Sequence, residues 1–210
     1  PIKPAGNRMR LLVMAGLFIL ALLPFYGGNF AVVLVTDIMI FCLFAASLHF
    51  MLGQGGLVSF GHAAFFGGGA YAAALFVTYA DPPMELALVL APICAGLAAV
   101  VIGWVCLRST GVYFAMLTLA FGQLLWSLAF QWGDVPGGAD GLVNIWPSDW
   151  ASDNDVYYYL AFVFCIGGIL LLRQAAHAPF GYAMRAARDS ARQAEAMGIN
   201  TKRIQWVAFT

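Results

Sequence analysis

Six long apolar runs constrain the fold of this 210-residue chain more than any other feature of its sequence. Each run approaches or exceeds the roughly 20 residues that an α-helix needs to cross the core of a bilayer. Charged residues make up only 10% of the chain and the mean hydropathy is +0.84, whereas a soluble domain carries about 25% charged residues. The predicted spans are residues 11–26, 30–52, 56–80, 86–107, 111–130 and 156–172. The sequence therefore predicts an all-α, polytopic membrane bundle of about six spans.

The placement of charge indicates how these spans cross the membrane. With six crossings, all ten basic residues fall on one side, which the positive-inside rule makes cytoplasmic. These residues are Lys3, Arg8, Arg10, Arg108, Arg173, Arg185, Arg188, Arg192, Lys202 and Arg203. The loops of the other side carry Asp81, Glu85, Asp134, Asp140, Asp149, Asp153 and Asp155, with no Lys or Arg among them. We therefore expect residues 1–210 to form a single transmembrane domain with a cytoplasmic amino terminus.

The stretch from Gly53 to Tyr71, GQGGLVSFGHAAFFGGGAY, holds seven glycines where an ordinary spanning helix would have Leu or Ile. One interpretation is tight helix packing, since glycine lets backbones approach closely. The other is a broken or re-entrant segment that lines a substrate path, because irregular backbone is tolerated in a membrane only against protein or water. On this second interpretation the path is lined by Ser59, His62, Gly67, Gly68 and Gly69, with Thr118 and Gln123 from the fifth span.

Two ionisable side chains, Asp37 and His49, lie inside the second span. A charge at the bilayer centre costs about 2.5–3.5 kcal/mol on insertion scales, so each is expected to face other helices or a water-filled cavity. They stand about 18 Å apart along a helix and are not expected to pair. Asp37 is also close enough to the start of its span to lie near the outer interface.

Residues 173–203 are polar and basic, and Tyr182–Met197 predicts a helix that ends at Gly198. The predicted ion pairs along this helix are Arg185 with Asp189 and Arg192 with Glu195. One face consists of Met184, Ala187, Ala191 and Ala194. The helix is too short and too polar to span the bilayer. It is interpreted either as a surface helix on anionic lipid or as a helix whose small-residue face fits a groove on a partner protein.

The longest loop on the outer side runs from Gln131 to Asp155. Residues 136–141 predict turns, and Trp132, Trp146 and Trp150 are typical of an interfacial aromatic belt. This acidic, aromatic loop is either a landing surface for a soluble partner or a solvated cap.

The sequence lacks several motifs that are typical of ATP-binding proteins, enzymes and metal sites. It contains no GxxxxGK[ST] phosphate loop, so transport against a gradient would take its energy from another chain or from an ion. It contains no HExxH, GxSxG or CxxC pattern, and its four cysteines lie within apolar runs, where thiols usually serve packing. No catalytic residue and no metal site are therefore predicted.

Four blocks of the sequence resemble the permease subunits of branched-chain amino acid ABC transporters. The blocks are GQGGLVSFGHAAFFGGGAYAAAL (53–75), STGVYFAMLTLAFGQLLW (109–126), GGADGL (137–142) and PFGYAMRAARDSARQAEAMGINTKRIQWVAF (179–209). The form GVYFAMLTLAF favours the LivM-like member of the LivH/LivM family. The blocks occur in the family's order and cover most of the chain after the first span.

The resemblance implies a multi-pass permease subunit of an ATP-driven importer in the bacterial inner membrane. The implied partners are a second homologous permease, two ATP-binding subunits and a periplasmic protein that delivers Leu, Ile or Val. ATP and Mg would be bound by those partner subunits, so no cofactor is expected on this chain, and no nucleic acid is expected as a partner. The resemblance also implies several further spans beyond residue 210.

Within this resemblance, residues 173–203 correspond to the cytoplasmic coupling loop. Glu195, Ala196 and Gly198 match the family's EAA-and-glycine pattern loosely, since the sequence here is Glu-Ala-Met-Gly. The small-residue face would seat in a cleft of the ATPase, and basic residues would bracket it. The predicted coupling residues are Arg185, Arg188, Asp189, Arg192, Glu195, Ala196 and Gly198.

Other functions stay open at this point. A permease for urea or short amides would carry the same glycine-rich blocks. An ion-coupled secondary transporter would use Asp37 or His49 for the coupling ion, and a channel or structural subunit would need neither. The polar segment from Tyr182 to Arg203 argues against the last two classes, because neither needs a docking helix there. An intramembrane enzyme is disfavoured because the ionisable residues form no recognisable catalytic arrangement.

Overall fold

The computed structural model describes residues 7–80, 83–131, 150 and 153–210. The regular structure in these residues is helical. The helices are α1 (Asn7–Tyr26), α2 (Asn29–Gly55), α3 (His62–Ala80), α4 (Met84–Cys106), α5 (Val112–Gln131), α6 (Asn154–His177), α7 (Pro179–Asp189), α8 (Ala191–Ala196) and α9 (Thr201–Phe209). Most of the predicted outer loop lies outside the described residues, including the GGADGL block, the turns at 136–141, Trp132 and Trp146.

The six predicted spans coincide with α1 to α6, which confirms the all-α membrane bundle. Four of these helices, α2, α4, α5 and α6, are long and apolar enough to cross a bilayer. The apolar part of α1, Leu11–Tyr26, is shorter, and α3 has 19 residues, three of them consecutive glycines. Large apolar side chains such as Phe41, Val101 and Leu171 are exposed on the outer faces of the helices, as expected of a surface that meets lipid.

Two tyrosine hydroxyls hold α1 against α6. Pro24 lies inside α1 and has no N–H to donate to the carbonyl of Leu20 one turn earlier. The buried Tyr158 donates its hydroxyl to that carbonyl at 2.6 Å. Tyr159 donates to the neighbouring carbonyl of Ala21 at 3.0 Å. The hydroxyl of Tyr158 therefore replaces the hydrogen bond that Pro24 removes. Together the two tyrosines attach the start of α6 to the end of α1.

Two clusters of buried side chains form the core. The cluster between α2 and α6 consists of Val32, Met39, Tyr158 and Cys165. The cluster around α4, α5 and α9 consists of Met51, Leu57, Ala99, Ile102, Cys106, Phe114 and Phe209. The ring of Phe209 meets those of Phe65 and Phe114 at centroid distances of 5.4 and 6.0 Å. Gly103 permits this approach, because a Cβ there would lie 2.6 Å from Cδ1 of Phe209.

The polar groups of the described residues gather at two opposite ends of the bundle. At one end of the bundle, α7 packs on α2 and α6, and α9 packs on α2, α4 and α7. Trp206 of α9 also donates its Nε1–H to the carbonyl of Val100 at 3.1 Å. Arg108, which follows α4, and the basic residues from Arg173 in α6 to Arg203 in α9 share this end. Glu85 and Trp150, which are hydrogen-bonded to each other, lie at the opposite end.

Two helix boundaries differ from the sequence prediction. The third span starts at His62 instead of residue 56, because Gly56 ends α2 with φ +65°, in the left-handed region that favours glycine. The predicted helix Tyr182–Met197 is divided into α7 and α8 at Ser190, whose backbone is extended. The N–H of Ser190 completes α7 and its carbonyl starts α8, so the division leaves neither group unpaired. Gly198, at φ +83°, follows α8 in the helix-ending position predicted for it.

Candidate functional site

A break between α2 and α3, residues 56–61, interrupts the glycine-rich stretch. Gly56 closes α2 by donating its N–H to the carbonyl of Leu52 at 3.1 Å. The N–H of Leu57 reaches the carbonyl of Met51 at 3.4 Å. The stretch is therefore broken over six residues, which we call the helix break, and it is regular helix from His62 onward.

The helix break lies against α5. The N–H of Phe60 donates to Oγ1 of Thr118 at 3.2 Å, and the Thr118 hydroxyl donates to the carbonyl of Ala115 at 2.9 Å. A Cβ on Gly122 would lie only 3.4 Å from Cα of Gly61. Thr118 and Gly122 are six and ten residues past the first residue of α5, about 9 and 15 Å along its axis. The helix break is thus recessed in the bundle relative to the start of α5.

Ser59 is a buried polar residue in the helix break. It is only 5% exposed, and its Oγ has no hydrogen-bond partner among the described residues. The Oε1 atom of Gln54, just before the break, is likewise buried and without a partner. Buried polar atoms are normally completed by protein, water or a bound molecule. The helix break therefore offers polar groups for water or a ligand.

A cavity of about 520 Å³ opens beside the helix break, between α3 and α5. Three of the predicted path residues, Gly67, Gly68 and Gln123, line it. The other lining residues are Phe60, Ala63, Ala64, Tyr71, Leu119, Gly122, Leu125, Trp126, Ala129 and Phe130. Most of the wall is apolar, and the polar groups on it are the amide of Gln123, the hydroxyl of Tyr71 and the indole of Trp126. An apolar pocket of this size with a few polar groups is the usual form of a small-molecule site.

The three consecutive glycines of α3 have different surroundings. A Cβ added to Gly67 or Gly68 would meet no heavy atom within 4 Å, so these two glycines keep the cavity open. A Cβ on Gly69 would lie 3.6 Å from Cβ of Ala95 in α4, which is ordinary packing distance. Both interpretations of the glycine-rich stretch therefore apply, each to different residues. Gly69 belongs to the α3–α4 contact and not to the lining of the cavity.

His62 lies apart from this cavity. Its Nε2 is hydrogen-bonded to Oγ of Ser47 at 2.8 Å, and its ring centroid lies 5.0 Å from that of Phe44. Both Ser47 and His62 line a second cavity of about 280 Å³ between α2, α3 and α6. The predicted path residues thus do not form one site: they are divided among the first cavity, the helix break, the α3–α4 contact and the second cavity. Ser47 carried no signal in the sequence, because its partner is 15 residues away and on another helix.

Tyr71 and Trp126 of the first cavity were not singled out from the sequence either. Each lies in one of the family-like blocks, but aromatic residues are common in spanning helices. Only the packing of α3 against α5 distinguishes the aromatic residues that face the cavity from those that face lipid.

Asp37 and His49 both lie on the exposed side of α2. Phe41, 62% exposed, lies between them on the same helix. The two ionisable residues do not meet, as their separation along the helix predicted. Within the described residues, the face of α2 that bears them is not covered by another helix of this chain.

The segment α7–α8 packs on the bundle through its small residues. Met184, Ala187 and Ala194 are 1%, 4% and 0% exposed. The expectation that this face seats in a partner's cleft is therefore wrong for these three residues, because they are buried against this chain. Ala191 is exposed. The other residues exposed on α8 and at the two positions directly after it are Arg192, Gln193, Glu195, Ala196, Met197 and Gly198.

The charged residues of this segment have partners other than the predicted ones. Asp189 pairs with the adjacent Arg188 at 2.8 Å instead of with Arg185. Arg185 donates to the carbonyl of Ala176 and lies over the ring of Tyr182, with 4.7 Å from Cζ to the centroid.

Glu195 accepts a hydrogen bond from the Thr201 hydroxyl at 2.7 Å, in place of the predicted pair with Arg192. This bond joins α8 to the start of α9. Arg185 and Glu195 therefore bond to groups outside their own helices instead of to the partners that the helix spacing predicted.

Comparison with known proteins bears on the same regions. Residues 30–210 match the model of a protein family that is described as the permease component of branched-chain amino acid transport systems. The chain is 26% identical to the high-affinity branched-chain amino acid transport system permease protein LivM of Salmonella typhimurium (strain LT2). It is 25% identical to the protein of the same name from Escherichia coli (strain K12). Both alignments cover 97% of this chain and 54% of the relative.

The chain thus spans about half the length of these curated relatives. No solved structure matches it significantly. The family match runs from the start of α2 to the last residue and includes the helix break, the cavity and the segment α7–α8. The chain therefore belongs to the family of branched-chain amino acid transport system permease components.

Proposed function

We propose that this chain belongs to the transmembrane permease subunit of an ATP-driven importer for branched-chain or related amino acids in the bacterial inner membrane. The observation that carries the proposal is the recessed helix break with a 520 Å³ cavity beside it. Irregular backbone inside a membrane bundle is tolerated where it is enclosed by protein or lines a cavity, and discontinuous helices form substrate sites in other transporters.

The cavity suits a small molecule with one apolar end. Its wall of Leu, Ala and Phe side chains would hold an aliphatic group, and Gln123 would bind a polar group. The first N–H groups of α3, at the helix break, carry the partial positive charge of a helix amino terminus and favour a carboxylate. The printed names of the relatives, which refer to branched-chain amino acids, support this substrate class.

Energy would come from separate ATP-binding subunits, which would bind ATP and Mg. The surface that faces them is formed by the residues exposed on and after α8, with Met197, 69% exposed, as its apolar projection. Arg192 lies beside it and is also exposed. In the proposed contact, Met197, which directly follows α8, enters an apolar pocket of the ATPase. A second homologous permease and a periplasmic binding protein complete the proposed assembly.

The test is co-purification of the full-length protein with its candidate ATPase. We expect Met197→Asp to abolish co-purification and ATP-driven uptake of labelled leucine. The matched control is Gln174→Asp, which adds the same charge at an exposed position of α6 on the same side of the membrane. The proposal is wrong if the ATPase does not associate with the wild-type protein. Uptake that survives ATP depletion but stops with the ion gradient would support an ion-coupled transporter instead. ATP-driven uptake of urea or short amides, with none of leucine, would change the substrate class alone.

A further inference from the structure

Arg188 of α7 reaches across to the end of α2. Its guanidinium donates to the carbonyl of Gly53 and also pairs with Asp189. The aliphatic part of the same side chain lies on Gly56, where a Cβ would be 2.5 Å from Cγ of Arg188. One residue of the segment α7–α8 therefore contacts both the last turn of α2 and the first residue of the helix break.

This contact supplies a hydrogen-bond donor to a backbone carbonyl at the end of α2. The last four carbonyls of a helix have no partner within the helix. Here the carbonyls of Met51 and Leu52 receive the N–H groups of Leu57 and Gly56, and the carbonyl of Gly53 receives Arg188. A cation at this end is also favoured by the helix dipole. The fit between Arg188 and α2 is therefore specific in both hydrogen bonding and charge.

A second contact fixes the same two elements. Met184, one turn before Arg188, is 1% exposed, and its Cε would lie 3.0 Å from a Cβ on Gly55. Glycine at position 55 thus lets α7 sit directly on the α2 backbone. Because both contacts lie on one face of α7, this helix and the end of α2 are expected to move together.

The opposite side of the helix break is joined to the cavity. Phe60 lines the cavity and donates its N–H to Thr118. Gly122, which also lines the cavity, packs against Gly61. Only residues 57–59 lie between the contacts with α7 and the contacts with α5. A displacement of α7 is therefore passed to the cavity wall through a short piece of backbone in which Leu57 and Ser59 are buried.

We propose that Arg188 is a positioning residue that holds the helix break against α7, so that movement of the segment α7–α8 changes the width of the cavity between α3 and α5. This inference rests on the proposed function, in which that segment receives the movement of the ATPase. Arg188 acts on the permease side of the coupling segment, whereas Met197 and its neighbours act on the ATPase side.

The first experiment measures the helix break without any ATPase. Ser59→Cys is introduced into the full-length protein after replacement of its native cysteines, and the rate of maleimide labelling is measured in membranes. Ser59 is buried, so slow labelling is expected while Arg188 is present. Arg188→Gln is expected to raise the rate by about tenfold, which corresponds to the loss of one charge-assisted hydrogen bond.

The controls separate loss of a contact from loss of charge or of folding. Arg173→Gln removes a positive charge from an exposed position on the same side of the membrane and should leave the labelling rate unchanged. Arg188→Lys keeps a donor that can reach Gly53 and should restore a large part of the protection. If Arg188→Gln does not fold, the Lys variant still gives a measurable intermediate rate.

The second experiment measures leucine taken up per ATP hydrolysed in the reconstituted transporter. Arg188→Gln is expected to keep ATP hydrolysis within about twofold of wild type while uptake falls by about tenfold or more. A residue with a merely structural role would lower both rates together. Unchanged labelling overturns the inference, and so does unchanged uptake per ATP. If wild-type uptake does not depend on ATP, the proposed function is wrong. The labelling rates would still decide whether Arg188 holds the helix break against α7.

Discussion

Replacing Tyr158 by Phe tests the account of how α1 is attached to the bundle. Tyr158 is 0% exposed and its hydroxyl lies 2.6 Å from the carbonyl of Leu20. The N–H that would otherwise reach this carbonyl belongs to position 24, where Pro24 has none. Tyr158→Phe therefore leaves a carbonyl unsatisfied in an apolar environment, without making a cavity.

The expected loss of stability is about 1–2 kcal/mol, since interhelical hydrogen bonds in membranes contribute roughly that much and an unsatisfied buried carbonyl about 1–3 kcal/mol. For a protein of this size, that corresponds to a decrease of about 2–8 °C in melting temperature. The measurement is thermal unfolding of the purified full-length protein, followed with a thiol-reactive dye. Cys42 is exposed and Cys94 is half-buried, so both are first replaced. Cys106 and Cys165 are buried and free, so they react only when the bundle opens.

A double-mutant cycle makes this prediction specific. Pro24→Ala restores an N–H that can donate to the carbonyl of Leu20, so Tyr158→Phe should cost much less in that background. Tyr157→Phe is the matched control, because Tyr157 is adjacent and exposed, and it should change the melting temperature little. Equal losses for Tyr158→Phe with and without Pro24 would refute the reasoning that the hydroxyl replaces the proline's missing N–H.

Four further changes test other parts of the structure. Gly68→Val should keep or raise the melting temperature while lowering leucine uptake, because the new side chain enters open space in the cavity. Gly69→Val should instead lower the melting temperature, because the new side chain crowds α4. Gly103→Ala should cost about 1–3 kcal/mol in unfolding free energy, since its Cβ overlaps Phe209; an unchanged melting temperature would contradict this packing. Thr118→Val should cost about 1–3 kcal/mol and speed amide hydrogen exchange in the helix break, because it leaves a backbone N–H unpaired; exchange rates equal to wild type would disprove that contact.

The recessed helix break lies between the segment α7–α8 and the wall of the cavity. On one side α7 contacts Gly53 and Gly55 at the end of α2 and Gly56 at the start of the break, and on the other side Phe60 and Gly61 contact α5. Glycine is required at several of these contacts because backbones or long side chains approach where a Cβ would stand. The concentration of glycine in this stretch follows from the number of elements that meet there.

The segment α7–α8 illustrates how other contacts override the pairing expected from helix spacing. Spacing along a helix predicted that Arg185 would pair with Asp189. In the structure Arg185 donates to the carbonyl of Ala176 and lies over the ring of Tyr182, and Asp189 forms an ion pair with Arg188. Exposed ion pairs along a helix contribute only about 0.2–0.5 kcal/mol. A helix carbonyl left without a partner costs more than that, so the arginines turn toward the carbonyls.

The amino-acid sequence by itself determined that the chain is a helical membrane bundle and where its polar, basic segment lies. These properties depend on apolar length and on the positions of charges, both of which are local. The four sequence blocks also indicated the family that the comparison confirmed.

The tertiary structure decided which glycines open a cavity and which serve packing, and which face of α7 and α8 is exposed. Gly68 and Gly69 are neighbours in sequence with the same side chain, yet one faces the cavity and the other faces α4. No local pattern distinguishes them. The difference arises only when α3 is packed between α4 and α5, because the environment of a residue without a side chain is set entirely by its neighbours.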